Sequence, residues 1–316
     1  MVDKKSIRSV FCGAMSLKPG ESCLIVTDSI KEPIGRAFYE YAGTITENAR
    51  IMLMRPGFEH AEEPPERIAK VMLEYDVQLL ITDKSLTHTK ARINATARGA
   101  RIASMPMITE EIANRCLDID YDDLRERARK LYLLMKNARE IKVTTVSGTD
   151  MKFTPGNSDF FGQNGGSFHS PGSYGNLPEG EISFAPETCE GVFVVDASFP
   201  GLGLLSSPLT FYVENGRVTR IEGERSQEVI NRLDEAGPKA YIVAELGIGL
   251  NPKAKVTGNI LEDEKVIGTS HIAVGNNLSY GRDNDVQLHL DGVIRTPSVY
   301  IDDNMIMEKG KFADIF

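Results

Sequence analysis

The chain has 316 residues, 41% of them hydrophobic and 26% charged, with a net charge of −9 at neutral pH. That length allows one large or two medium domains with real cores, the acidic balance argues against a nucleic-acid partner, and no apolar run approaches the ~18–20 residues of a membrane span. No long apolar core follows Met1-Val-Asp-Lys-Lys-Ser, so no secretory signal is expected, and Cys12, Cys23, Cys116 and Cys189 lack CxxC spacing, as befits free thiols of a cytoplasmic protein.

Up to about Asn137, apolar runs alternate with helical patterns. Residues 22–27, 50–54, 77–82 and 101–105 read as strands. Residues 33–42, 65–75 and 90–98 read as the helices between them, the first with Pro33 in its opening turn. Such alternation predicts an α/β N-terminal domain with a mostly parallel sheet. No GxGxxG follows a strand, so no dinucleotide site is expected. Ligands of such sheets lie beyond the carboxyl ends of strands, which makes Asp83, Lys84, Ser85 and His88 a candidate rim. Residues 122–136 read as a long helix whose Leu124, Ala128, Leu131 and Met135 form a core stripe. The boundary is placed after it, giving an α/β domain over 1–139 and a β-rich α+β metal-binding domain over 140–316.

In the second part, strands at 142–146 and 151–154 flank a turn. Residues 155–180 are rich in Gly, Ser, Asn and Pro without a period, and a loop of that length is usually functional or mobile. Because it runs into Glu181, it is expected to border the active site. Asn215-Gly216 between strands at 210–213 and 217–222 is a strong hairpin signal. A helix follows at 225–236, then a strand at 241–246 and a closing hairpin near 300–307.

Chemistry concentrates in residues 264–291. His289 and Asp291 stand two apart in the alternating run Val-Gln-Leu-His-Leu-Asp, so one strand face carries both. An imidazole and a carboxylate on one face suit a divalent metal. His271 lies in a second strand-like run, and if the two strands are neighbours three ligands converge. Glu245 sits inside the apolar run Ile-Val-Ala-Glu-Leu-Gly, where a carboxylate must be paired or metal-bound. Alone it reads as a salt-bridge partner or a strand end; beside two histidines and Asp291 it becomes a metal or catalytic candidate. His60 and His169 are expected to be exposed, Glu179 to be surface charge, and Lys265 and Arg282 to lie on a solvated face.

Together these segments resemble the aminopeptidase T family of metallopeptidases. Ser85-Leu-Thr-His88-Thr, Gly99-Ala-Arg-Ile-Ala-Ser-Met-Pro106, Asn176-Leu-Pro-Glu-Gly-Glu181, Ala244-Glu245-Leu-Gly-Ile-Gly, Gly268-Thr-Ser-His271-Ile-Ala-Val-Gly275 and His289-Leu-Asp291 occur in the family's order. The resemblance implies a homodimer and a two-metal centre of zinc, cobalt or manganese on Glu181, Glu245, His271, His289 and Asp291. Where the family has a further glutamate ligand five residues before the first histidine, this chain has Val266, with Glu264 two residues beyond. A relative on the same scaffold, 2,5-dihydroxypyridine 5,6-dioxygenase, opens a pyridine ring at a single iron, and a histidine near the position of His88 contributes to its chemistry.

The expected function is therefore a metal-dependent aminopeptidase acting on small peptides. Metal would activate water, Glu181 or Glu245 would serve as general base, and His88 is a further catalytic candidate. The alternative is oxidative ring cleavage at ferrous iron, for which His271, His289 and Asp291 make a two-histidine, one-carboxylate set. A third reading keeps the fold for binding without turnover.

Overall fold

The computed structural model describes residues 1–314. They form two compact units, Met1–Arg125 with Asn164–Glu179, and Glu126–Gln163 with Gly180 onward. Among the described residues no helix is long and apolar enough to cross a membrane.

The first unit is built on a five-stranded sheet in the order Ala49–Met54, Cys23–Asp28, Val77–Ile81, Arg101–Ser104, Tyr174–Asn176. Every pairing is parallel, as the strand–helix alternation predicts. The middle strands are buried at every position, while the Ala49–Met54 edge is partly exposed. Leu24, Val26, Leu80 and Ile102 pack with Ile68 and Met72 of the Glu66–Met72 helix into one core cluster. Helix starts follow the local chemistry: the side chains of Thr89 and Thr109 accept the amides of Arg92 and Ile112 and so cap the Lys90–Ala97 and Glu110–Cys116 helices. Buried Asp28 ends its strand by accepting the amides of Ile30, Lys31 and Asp83. The last strand comes from the Gly-rich stretch read as a loop. Three residues, Tyr174–Asn176, pair with Arg101–Ser104, and this makes the first unit discontinuous in sequence.

The Tyr121–Met135 helix carries the chain onward, with Leu124, Ala128, Leu131 and Met135 all buried. The second unit holds two antiparallel sheets. The eight-stranded one runs Arg217–Glu222, Leu209–Glu214, Thr188–Val195, Asp150–Thr154, Ile141–Thr144, Ser298–Ile301, Asn304–Glu308, Lys311–Phe312. Asn215 and Gly216 both have positive φ, 49° and 75°, as the tight hairpin there requires. The seven-stranded sheet runs Gly203–Leu204, Ser198–Phe199, His289–Ile294, Ser270–Gly275, Val243–Gly249, Glu181–Phe184, Phe160–Phe161. It supplies the site. Gly292 of this sheet packs on Val195 of the other, and a Cβ added at Gly292 would stand 2.4 Å from the Val195 side chain.

Candidate metal centre

Four neighbouring strands bring the polar groups together. His289–Ile294 pairs with Ser270–Gly275, which pairs with Val243–Gly249, which pairs with Glu181–Phe184. Asp291 lies opposite Ala273, Ala273 opposite Glu245, His271 opposite Gly247, and Gly249 opposite Glu181. Because partners in register share a face, that face carries Glu181, Glu245, His271, His289 and Asp291, with Gly247, Gly249, Ala273 and Ser183 between them. The opposite face is apolar and buried: Ile182, Phe184, Leu246, Ile248, Ile272, Val274, Leu290 and Ile294.

The small residues make the room. A Cβ on Gly247 would stand 2.0 Å from His271 Nε2, so the imidazole lies across that glycine. The pairing shifts by one residue between Val243 and Glu245. A bulge of this kind re-aims a side chain next to a site, and here it sets Glu245 on the polar face.

Distances within the cluster are short. His271 Nε2 lies 3.2 Å from Glu245 Oε1 and 3.3 Å from Glu181 Oε2. His289 Nε2 lies 3.0 Å from Glu245 Oε2 and 3.2 Å from Asp291 Oδ1. On its other side His289 Nδ1 donates to the Asn276 carbonyl at 2.8 Å. A donor bond there makes Nε2 the nitrogen that faces the carboxylates, the arrangement of a metal-binding histidine. His271 is fully buried, Glu245 nearly so, and His289 is the more open imidazole, its side chain 32% exposed.

Burial would push the Glu245 carboxyl up, but hydrogen bonds and charge from His271 and His289 outweigh it and hold it well below its usual range. Burial opposes charge on His271 too, yet Glu245 and Glu181 raise it to about 9. For His289 burial is again outweighed, here by Asp291 and Glu245, and the ring rises well above its usual value. Protons on these rings are what a divalent ion would displace. The residues fit such an ion: Glu181 Oε2 and His271 Nδ1 are buried without a hydrogen-bond partner, and in each of three overlapping groups the ligand atoms lie within 4.8 Å of one another. These groups are Glu181 with Glu245 and His271, Glu245 with His289 and Asp291, and Glu264 with His271 and Asp291.

Glu264 does reach the cluster, so the valine at 266 leaves no gap in carboxylates. It follows the short Ile260–Asp263 helix, and burial foremost, with Glu181 and Asp291 adding to it, pushes its carboxyl up to about 8 against the pull of Lys265. Two expectations of solvent exposure are corrected. Lys265 is 1% exposed, its ammonium set between Glu181 and Glu264. Glu179 is also buried, within the first unit. Arg282 ties loops by donating to the carbonyls of Pro155 and Ala185. His60 and His169 are exposed as expected. His88 is an exposed residue of the first unit, between Val77–Ile81 and Lys90–Ala97.

Tyr280 escaped sequence reasoning. Its hydroxyl lies 2.8 Å from Ser183 Oγ, and burial first, then Glu245 and Glu181, pushes its phenol well above the usual value. No spacing pattern marked it, because it sits in the Leu278–Tyr280 turn between two site strands.

A sequence profile of the family described as NicX, 2,5-dihydroxypyridine 5,6-dioxygenase, matches residues 17–314. A 2,5-dihydroxypyridine 5,6-dioxygenase of Pseudomonas putida KT2440 is 24% identical over 248 residues, covering 73% of this chain and 70% of that protein. Among solved structures, the 2,5-dihydroxypyridine dioxygenase of Pseudomonas putida KT2440 superposes with a TM-score of 0.81 at 19% identity, over 98% of this chain and 96% of the other. AmpT from Thermus thermophilus superposes with a TM-score of 0.70 at 17% identity, over 98% of both. At these identities the structural likenesses bear on the fold alone. The profile and the sequence relative overturn the aminopeptidase expectation, and AmpT shares the scaffold only. The hydrolase assignment falls with its peptide substrate, its zinc, cobalt or manganese ions, and the general-base role in peptide hydrolysis given to Glu181 or Glu245. The physical source of the difference is the surplus of carboxylates, which suits a general base as well as it suits a metal ligand.

Proposed function

The chain belongs to the 2,5-dihydroxypyridine 5,6-dioxygenase family, and from that premise we propose that it is a non-haem iron dioxygenase that opens a dihydroxylated pyridine ring with dioxygen. The observation that carries this reading is that one sheet face sets both imidazoles against Glu245, with Asp291 beside His289. Two histidines and a carboxylate with positions left open favour ferrous iron. His271, His289 and Asp291 would hold the ion, with Glu245 beside them. Ferrous iron bound there would supply the one-electron chemistry that lets dioxygen react with a closed-shell ring.

The chain's own groups do the rest. The Asn276 carbonyl fixes the tautomer of His289, so its Nε2 faces the cluster. Tyr280 stays protonated and offers a hydrogen-bond donor among carboxylates. Gly247, with no side chain, gives the His271 imidazole its place against the sheet. His88 stays an acid–base candidate from the family likeness alone; its substitution by Ala should lower kcat while metal content stays unchanged.

The test is oxygen uptake with 2,5-dihydroxypyridine after anaerobic loading with ferrous iron. The expected result is consumption of oxygen and ring together in equal amounts. Absence of uptake by protein shown to contain iron would refute the reading.

A further inference from the structure

Six ligand-type side chains, Glu181, Glu245, Glu264, His271, His289 and Asp291, gather here in overlapping groups. That is more than one ion with open positions needs, and in two-metal centres ions about 3.5–4 Å apart share carboxylates between them. We propose that Lys265 limits the centre to a single metal by acting as a built-in cation where a second ion would sit. The proposal rests on the metal-centre reading above and names the residue that sets its stoichiometry.

Lys265 Nζ lies 2.6 Å from Glu181 Oε1 and 2.5 Å from Glu264 Oε1. One oxygen of each carboxylate is thereby taken, so neither is free to bridge two ions. Glu181 keeps only Oε2 for the cluster, 3.3 Å from His271 Nε2. A buried ammonium needs such partners, and Lys265 at 1% exposed is no surface contact. A second divalent ion touching the same two oxygens would meet a like charge.

The backbone is built to hold the lysine there. Lys265 O accepts the amide of Asn251 at 2.8 Å, and Asn251 O accepts that of Ile267 at 3.1 Å. The Val266 carbonyl lies on Gly249, where a Cβ would stand 2.0 Å from its oxygen. Ahead of it, buried Glu262 and Asp263 accept the amides of Lys255, Thr257 and Gly258 and close the turn.

The experiment titrates chelator-stripped full-length protein with manganese(II). Bound metal is counted by elemental analysis after desalting, and the electron paramagnetic resonance spectrum reports isolated or coupled ions. Wild type should hold one ion per chain with an isolated signal. Lys265→Met, close in shape and uncharged, should rise to about two ions with a coupled signal; Lys265→Gln serves if the first variant does not fold. Two ions in wild type, or one ion in a folded Lys265 variant, would overturn the proposal. No bound ion in wild type would instead remove the metal-centre reading itself.

Discussion

The two sheets of strands Cys23–Asp28 and Val243–Gly249 keep their polar groups in different places. In the parallel sheet the middle strands are buried throughout, and carboxylates appear at strand ends: Asp28 closes its strand and Asp83 follows Val77–Ile81. In the antiparallel sheet, charge lies within the strands on one face, interleaved with glycine and alanine, while the other face is core. A parallel sheet covered on both faces leaves only its strand ends for chemistry, whereas an antiparallel sheet can give a whole face to it. The expected consequence is that stability and metal binding separate by unit.

Leu80→Ala, in the fully buried Val77–Ile81 strand, should give the largest change in stability. A loss of about 2–5 kcal/mol is expected, read by denaturant unfolding, with metal content unchanged. Coupled loss of metal would break the separation. Gly247→Ala should cost about 1–3 kcal/mol by overpacking and also eject metal, because the new Cβ meets His271 Nε2. Gly20→Ala is its control: it has open space around it, and a change within about 0.5 kcal/mol is expected.

His289→Ala should lower metal occupancy at least about tenfold. Elemental analysis decides, and unchanged occupancy would remove His289 from the ligand set. The smallest effect concerns pH. His271 is raised from its ordinary 6.5 to about 9, so its charged form stabilises the metal-free protein below 6.5, and that contribution is lost as pH rises toward 9. Glu264, raised to about 8, works in the same direction. The melting temperature of stripped protein should therefore fall by a few degrees between pH 6.5 and 9, and metal-loaded protein should not follow. A flat profile for stripped protein would contradict the coupling of the imidazoles to the carboxylates.

Much of the site was legible locally. His289 and Asp291 share a face because strand side chains alternate, and His271 lies in a run of the same period. Glu245 stood out as a charge in an apolar strand. Glu181 had no local signal beyond family likeness, and His88 only its place in the loop after a strand. Glu264 and Lys265 were misread or left open because a turn has no period from which to infer direction. The chemistry was misassigned because residue types do not reveal how carboxylates are shared. With Lys265 holding Glu181 and Glu264, fewer of them are left for a metal than their number implies.

Periodicity and composition alone determined the alternating α/β beginning, the core stripe of the long helix, the Asn215-Gly216 hairpin and the paired His289 and Asp291, since each depends on residues close along the chain. Tertiary structure alone decided that Tyr174–Asn176 returns to edge the parallel sheet, that Gly247 clears space for His271, that a bulge turns Glu245 to the polar face, and that a buried lysine joins two glutamates. Those outcomes follow from strand register and packing between distant segments, where a shift of one residue would turn a strand's candidate ligands to the other face.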